Sequence, residues 1–215
     1  MPADLFNVEK QLVFYGAYHS NKVNVRIHMV CVPILIWTFQ IMLASLPTPS
    51  FFPECQHDFN SVLSFKFNWA TVQALLYFAY YFTLLPSATL LYAPQSVISL
   101  LSAIAVAHDQ SNVVKALALH VVCWLAQFYG HGVHERRAPA LLDNLIGGMS
   151  CRMSQFECLF TLFALTAVVL APFFVHLELL FELGYFPTLH RNMKNGIGKE
   201  VLKFRTSEAQ KKRAS

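Results

Sequence analysis

Two short stretches concentrate the side chains able to bind a metal or move a proton. In FYGAYHSNKVNVRIH, Tyr15 and His19 are four residues apart, as are Asn24 and His28, so each pair shares a helix face. The two histidines are nine residues apart, and at ~100° per residue one continuous helix would put them on opposite sides. The intervening SNKVN is turn-like, with Asn24 as a candidate N-cap, and a break there would let a C-terminal His19 face a first-turn His28. In HVVCWLAQFYGHGVHERRAPALLDN, His120, Gln127, His131 and His134 fall on one helical stripe, with Glu135 four residues past His131. Neutral imidazoles with an occasional carboxylate suit non-haem iron(II), and zinc nearly as well. An isolated H-x-x-H is a weak signal, because a histidine at a membrane edge is more often a hydrogen-bonded interfacial residue. Clustering is what raises His19, His28 and His131 above that.

The elements that must hold these residues are apolar. Of the 215 residues 55% are hydrophobic and 13% charged, beyond the ~45–50% apolar content of soluble domains, so lipid is expected to cover part of the surface. A spanning helix needs about 20 mostly apolar residues, and the windows that meet or approach this run from about Val25 to Leu46, Trp69 to Leu85, Ala88 to Ala107, Val113 to Tyr129 and Cys158 to Leu183. Pro86 and Pro94 predict a tight hairpin or a kink between the second and third. The Pro-rich stretch from Pro47 to Asn68 reads as a loop. Before the first span, Leu5, Val8, Leu12, Tyr15 and His19 recur at helical spacing and predict an amphipathic helix. The expected fold is therefore all-α, a polytopic membrane helix bundle of four to five apolar segments with an N-terminal amphipathic helix. One membrane-embedded domain over 1–190 and a basic tail over 191–215 are the expected divisions.

Charge sets the expected orientation. Lys10, Lys22 and Arg26 precede the first span and Arg136, Arg137 and Arg152 follow the fourth, so both regions should be cytosolic. Four crossings from a cytosolic start bring His131 back to the side of His19 and His28. The fifth segment fits less well, and Pro172, His176, Glu178 and Glu182 suggest that it bends, re-enters or lies along the interface. The net charge of +4 comes largely from the tail, which reads as a solvated end before it reads as a contact for anionic lipid. Nucleic acid is not an expected partner, since the basic residues are not interleaved with aromatics on a folded face. The five cysteines are scattered and read as reduced packing residues, and the N-terminus lacks the basic-then-apolar pattern of a cleavable signal. His57 and His190 read as a solvated loop residue and a tail residue. His108 belongs to the opposite face if the third segment crosses fully, and for His176 a partnered helix-end role outweighs a ligand role.

Three blocks, QLVFYGAYHSNKVNVRIHMVCVP, QFYGHGVHERRAPALLDNL and LAPFFVHLELLFELGYFP, occur in the order found in the fungal and bacterial membrane proteins typified by the yeast endoplasmic-reticulum 2-hydroxy fatty acid dioxygenase, and the chain resembles that family up to about Pro187. The resemblance implies an iron(II)-dependent oxidation, at the endoplasmic reticulum membrane, that shortens a long-chain 2-hydroxy fatty acid by one carbon, as in breakdown of the phytosphingosine backbone. His19, His28, His131 and Glu135 match the family's polar positions; His134 and His120 do not, and Cys31 stands where many relatives have glycine. The expected set is then His19, His28, His131 and His134 as metal ligands, Glu135 and Tyr15 in catalysis, and Asn24, Gln127 and Arg137 at the substrate. For Arg137 a positive-inside role is the commoner explanation. Fe(II) suffices as cofactor, because a 2-hydroxy acid chelates a metal through two oxygens and the reaction with dioxygen balances without a nucleotide. The rival expectations are a non-enzymatic lipid carrier or scaffold and a zinc-dependent membrane hydrolase.

Overall fold

The computed structural model describes residues 6–135 and 156–214, with side chains of 156–167 left aside. The helices are α1 (Val8–Ala17), α2 (Lys22–Ala44), α3 (Trp69–Leu84), α4 (Pro86–Ala107), α5 (Gln110–Tyr129), α6 (Phe156–Glu182) and α7 (Pro187–Ala214), with a π-helical segment over Gly130–Glu135. The chain forms two compact units, one from Met1–Arg26 with Tyr129–Ser215 and the other Ile27–Phe128.

The unit Ile27–Phe128 is the apolar bundle. Small residues let its helices close: Ile41, Ala103, Ala107 and Ala116 are buried together, with Trp37, Ala44, Val106 and Val113 around them. Polar side chains pair across it rather than face lipid. Trp37 donates to Ser102 Oγ at 3.0 Å, Gln40 donates to Gln73 at 3.2 Å, and Ser99 donates to Gln40 at 2.7 Å. Leu75, Leu76, Leu90, Ile98, Val121 and Leu125 point outward, as lipid contact requires. α2 and α4 are long and apolar enough to cross a membrane, as is Gln110–Glu135 taken as one span. Pro33 and Pro94 lie inside α2 and α4 without ending them. The α3–α4 junction is a hairpin. Pro86 opens α4, where its missing N–H costs nothing, and the chain folds back so that Tyr81 and Tyr92 meet edge to face at 5.7 Å.

The stretch expected to be only loop contains an antiparallel hairpin, β1 (Gln56–Asn60) with β2 (Leu63–Lys66), in register His57↔Phe65 and Asp58↔Ser64. Asn60 closes its turn by accepting from the N–H groups of Val62 and Leu63, both at 2.9 Å. Its strands are short and β1 is wholly exposed, so no buried alternation marked it in the sequence. Asn68 then caps α3, accepting from Ala70 and Thr71.

In the other unit, α1 is the expected amphipathic helix, capped by Asn7 and buried along Gln11, Leu12, Tyr15 and Gly16. It packs on α6 and, at close range, on α7. A Cβ on Gly16 would come within 2.3 Å of Ile197, and one on Gly196 within 2.4 Å of Val13. The region read as a solvated tail is thus part of a 28-residue helix that begins at Pro187 and docks on α1. Its packing face, His190, Met193, Gly196, Ile197 and Phe204, is sparse in large apolar residues, which hid it among the charges. α6 runs through Pro172 and stops at Gly184, which takes φ 87°. There the N–H of Tyr185 bonds to Leu180 O and that of Gly184 to Phe181 O, a Schellman closure. The axis then turns by 117° between Val168–Glu182 and Pro187–Ser207, so the bend falls just past the fifth segment, which is itself one helix through Pro172.

Candidate metal centre

α1 ends at Ala17, and the break before α2 lies at Tyr18–Asn21. Asn21, not Asn24, begins α2: its Oδ1 accepts from Val23 N at 2.8 Å. Asn24 is instead a fully buried first-turn residue. The break brings His19 back over its own helix. His19 Nδ1 is 2.8 Å from the carbonyl oxygen of Tyr15; a carbonyl only accepts, so Nδ1 holds the proton and Nε2 holds the lone pair. The imidazole lies flat on the Tyr15 ring at 4.1 Å and 5°, and Phe174 of α6 packs on both rings at 4.3 and 5.9 Å. Tyr15 is buried, and desolvation pushes its phenol well above its usual range. It stays protonated, as a wall against His19.

The second stretch is held by Glu135. Its carboxylate accepts from Ser20 N at 3.0 Å, Ser20 Oγ at 2.5 Å, Asn21 N at 2.9 Å and Asn24 Nδ2 at 3.2 Å. A carboxylate from the end of one helix thus caps the start of another, where free N–H groups favour negative charge. Asn21 Nδ2 adds a bond to the carbonyl of His134 at 3.1 Å. The π segment explains why this works. An i→i+5 turn advances less per residue than an α-turn, which brings position i+4, Glu135, closer to the face of His131 and rotates i+3, His134, away. The half-buried His134 ring meets Tyr129 edge-on at 5.5 Å.

His19, His28 and His131 are all buried, and one ring nitrogen from each lies within 4.8 Å of the others. His19 and His131 meet edge to face at 4.8 Å between centroids, while His28 follows Asn24 by one turn of α2. Metal–nitrogen bonds of about 2.0–2.1 Å would draw ligands at this outer separation somewhat closer. Three imidazoles, one with its lone pair fixed by a backbone carbonyl, fit a divalent transition metal. The group contains no carboxylate among the described residues, since the oxygens of Glu135 are committed to four donors.

The other sequence candidates separate clearly. Gln127 is buried on α5, one turn before His131. Arg137 lies outside the described residues. His120 is a staple in the apolar bundle: Trp124 donates to its Nε2 at 3.0 Å, so its Nδ1 holds the proton and donates to Thr38 Oγ1 at 2.8 Å. His108 lines a cavity of about 520 Å³ with Asp58, Lys66 and Asn68, His190 stacks on Phe181 at 4.5 Å, and His57 is exposed in β1. His176 is buried in α6 and is not one of the three. Ser20, Asn21 and Phe174 were not singled out from the sequence. Asn21 carried a signal, an Asx residue just ahead of the apolar run; Phe174 carried none in an all-apolar stretch.

A family model described as "Mpo1-like: 2-hydroxy-palmitic acid dioxygenase Mpo1-like" matches residues 5–162. The chain is also 30% identical over 199 residues to the 2-hydroxy-palmitic acid dioxygenase MPO1 of Saccharomyces cerevisiae, covering 92% of this chain and 93% of that protein. No solved structure matches.

Proposed function

The chain belongs to the Mpo1-like family, and on that footing we propose that it is an iron(II)-dependent dioxygenase that shortens long-chain 2-hydroxy fatty acids by one carbon. The observation that carries the reading is the buried His19, His28 and His131 group. Three neutral ligands leave a divalent ion its full charge, which favours an anionic chelator. A 2-hydroxy acid presents carboxylate and hydroxyl oxygens one carbon apart, and a bound iron(II) ion would supply the one-electron chemistry that dioxygen needs. The overall change balances without a further reductant: R–CH(OH)–COOH and O2 become R–COOH, CO2 and H2O.

The protein's own groups orient and enclose. The Tyr15 carbonyl holds His19 in the tautomer that offers Nε2. Glu135 is a positioning residue, joining the His131 turn to the α2 start. Neutral Tyr15 and Phe174 keep water from the His19 face. Basic residues near α1 and α2 support a site at the cytosolic face of the endoplasmic reticulum membrane, with the acyl chain in the lipid. A donor set without a carboxylate also suits zinc, so metal identity is part of the test. Purified protein should contain iron and consume oxygen in step with 2-hydroxypalmitate loss, and chelation should abolish both. Oxygen-independent product formation by a zinc-containing sample would refute the reading.

A further inference from the structure

Gln127 is 6% exposed, and its Nε2 is enclosed with no hydrogen-bond acceptor among the described residues. A buried amide donor in that state is costly unless something else answers it. Its position follows from the register of α2 against α5. The Cys31 thiol contacts that of Cys123, and Thr38 bonds His120, so α5 advances as α2 is followed back. One turn onward from these contacts on each helix come His28 and Gln127, and His131 follows Gln127 by four residues. Gln127 and His28 thus continue the same α2–α5 register, both within the unit Ile27–Phe128.

We propose that Gln127 selects for the 2-hydroxyl group of the substrate, its Nε2–H donating to the hydroxyl oxygen; this rests on the function proposed above. C2 bears the alkyl chain, so of the two chelating functions the hydroxyl lies nearer the apolar interior and the carboxylate nearer the aqueous edge. An uncharged amide beside two thiols suits an uncharged oxygen, whereas a carboxylate there would want a countercharge. An acid without the hydroxyl leaves the donor unanswered, which disfavours it by about 10- to 100-fold.

The test is equilibrium displacement of a fluorescent fatty acid from full-length, zinc-loaded protein in nanodiscs, where no turnover occurs. The competitors are 2-hydroxypalmitic and palmitic acid. Wild type should prefer the hydroxy acid by about tenfold or more. Gln127→Met, which keeps the shape and lacks the donor, should bring the ratio towards one mainly by binding palmitic acid better. Gln127→Leu serves if the methionine variant does not load zinc. Retention of the wild-type ratio, or equal weakening of both acids, overturns the role of Gln127 alone. Wild type that binds neither acid overturns the substrate reading with it.

Discussion

At the residue scale, the charges around the histidines are arranged for position. Replacing His19, His28 or His131 singly by alanine is expected to lower bound metal to a small fraction of wild type, measured by elemental analysis on folded protein; full occupancy in all three would remove the site. Tyr15 offers a sharper division of roles. Its phenol stays neutral because desolvation raises its pKa, so no ionisation of Tyr15 enters the pH–rate profile across neutral pH. Tyr15→Phe, which keeps the stacked ring, should retain most turnover, and Tyr15→Ala should lose most of it. A large loss in Tyr15→Phe would restore the phenol to a chemical role. Glu135→Ala removes the acceptor of four donors, and loss of charge-assisted bonds costs on the order of 2–3 kcal/mol. Its melting temperature should fall, with metal affinity falling alongside.

At the scale of elements, the close approach of α1 and α7 is the contact most exposed to single changes. Gly196→Leu should separate the two helices, because the branched Val13 has little room to yield. Gly16→Ala should destabilise the wild-type background yet be largely rescued by Ile197→Ala, whose shortened side chain clears the space. A double-mutant cycle in thermal unfolding checks this. Additive effects would mean that the helices do not touch there. The amphipathic spacing of α1 was legible because its apolar positions repeat. The docking of α7 was not, since its close contacts are Gly196 on Val13 and Ile197 on Gly16, too few to mark a face among the charges. The hairpin at Gln56–Lys66 escaped for a similar reason: exposed strands bury nothing and so leave no alternation.

At the scale of the whole molecule, the bonds from Ser20, Asn21 and Asn24 to Glu135 require residues 20–24 and 135 to lie on one side of the membrane. Among the described residues α2, α4 and Gln110–Glu135 are long and apolar enough to cross; an even number of crossings between 20–24 and 135 would need α3 as a fourth. At 1.5 Å per residue its 16 residues reach about 24 Å, short of a ~30 Å hydrocarbon core, so a crossing by α3 would need local thinning or flanking polar anchors. An engineered N-glycosylation site in the 56–66 hairpin should be modified in microsomes and one in the Tyr18–Asn21 break should not. The opposite pattern would invert the orientation drawn from the lysines and arginines. Apolar windows, the N-terminal amphipathic helix and His19, His28 and His131 as a group were all readable from the sequence, because hydrophobic periodicity and the sided placement of charge are properties of the chain itself. Where the His134 ring lies, which asparagine begins α2, and which donors Glu135 accepts from are visible only in the tertiary structure. Each depends on a small rotation, a π turn at Gly130–Glu135 and a helix cap three residues earlier than expected. Those rotations are set by which donors and acceptors find one another once distant segments meet.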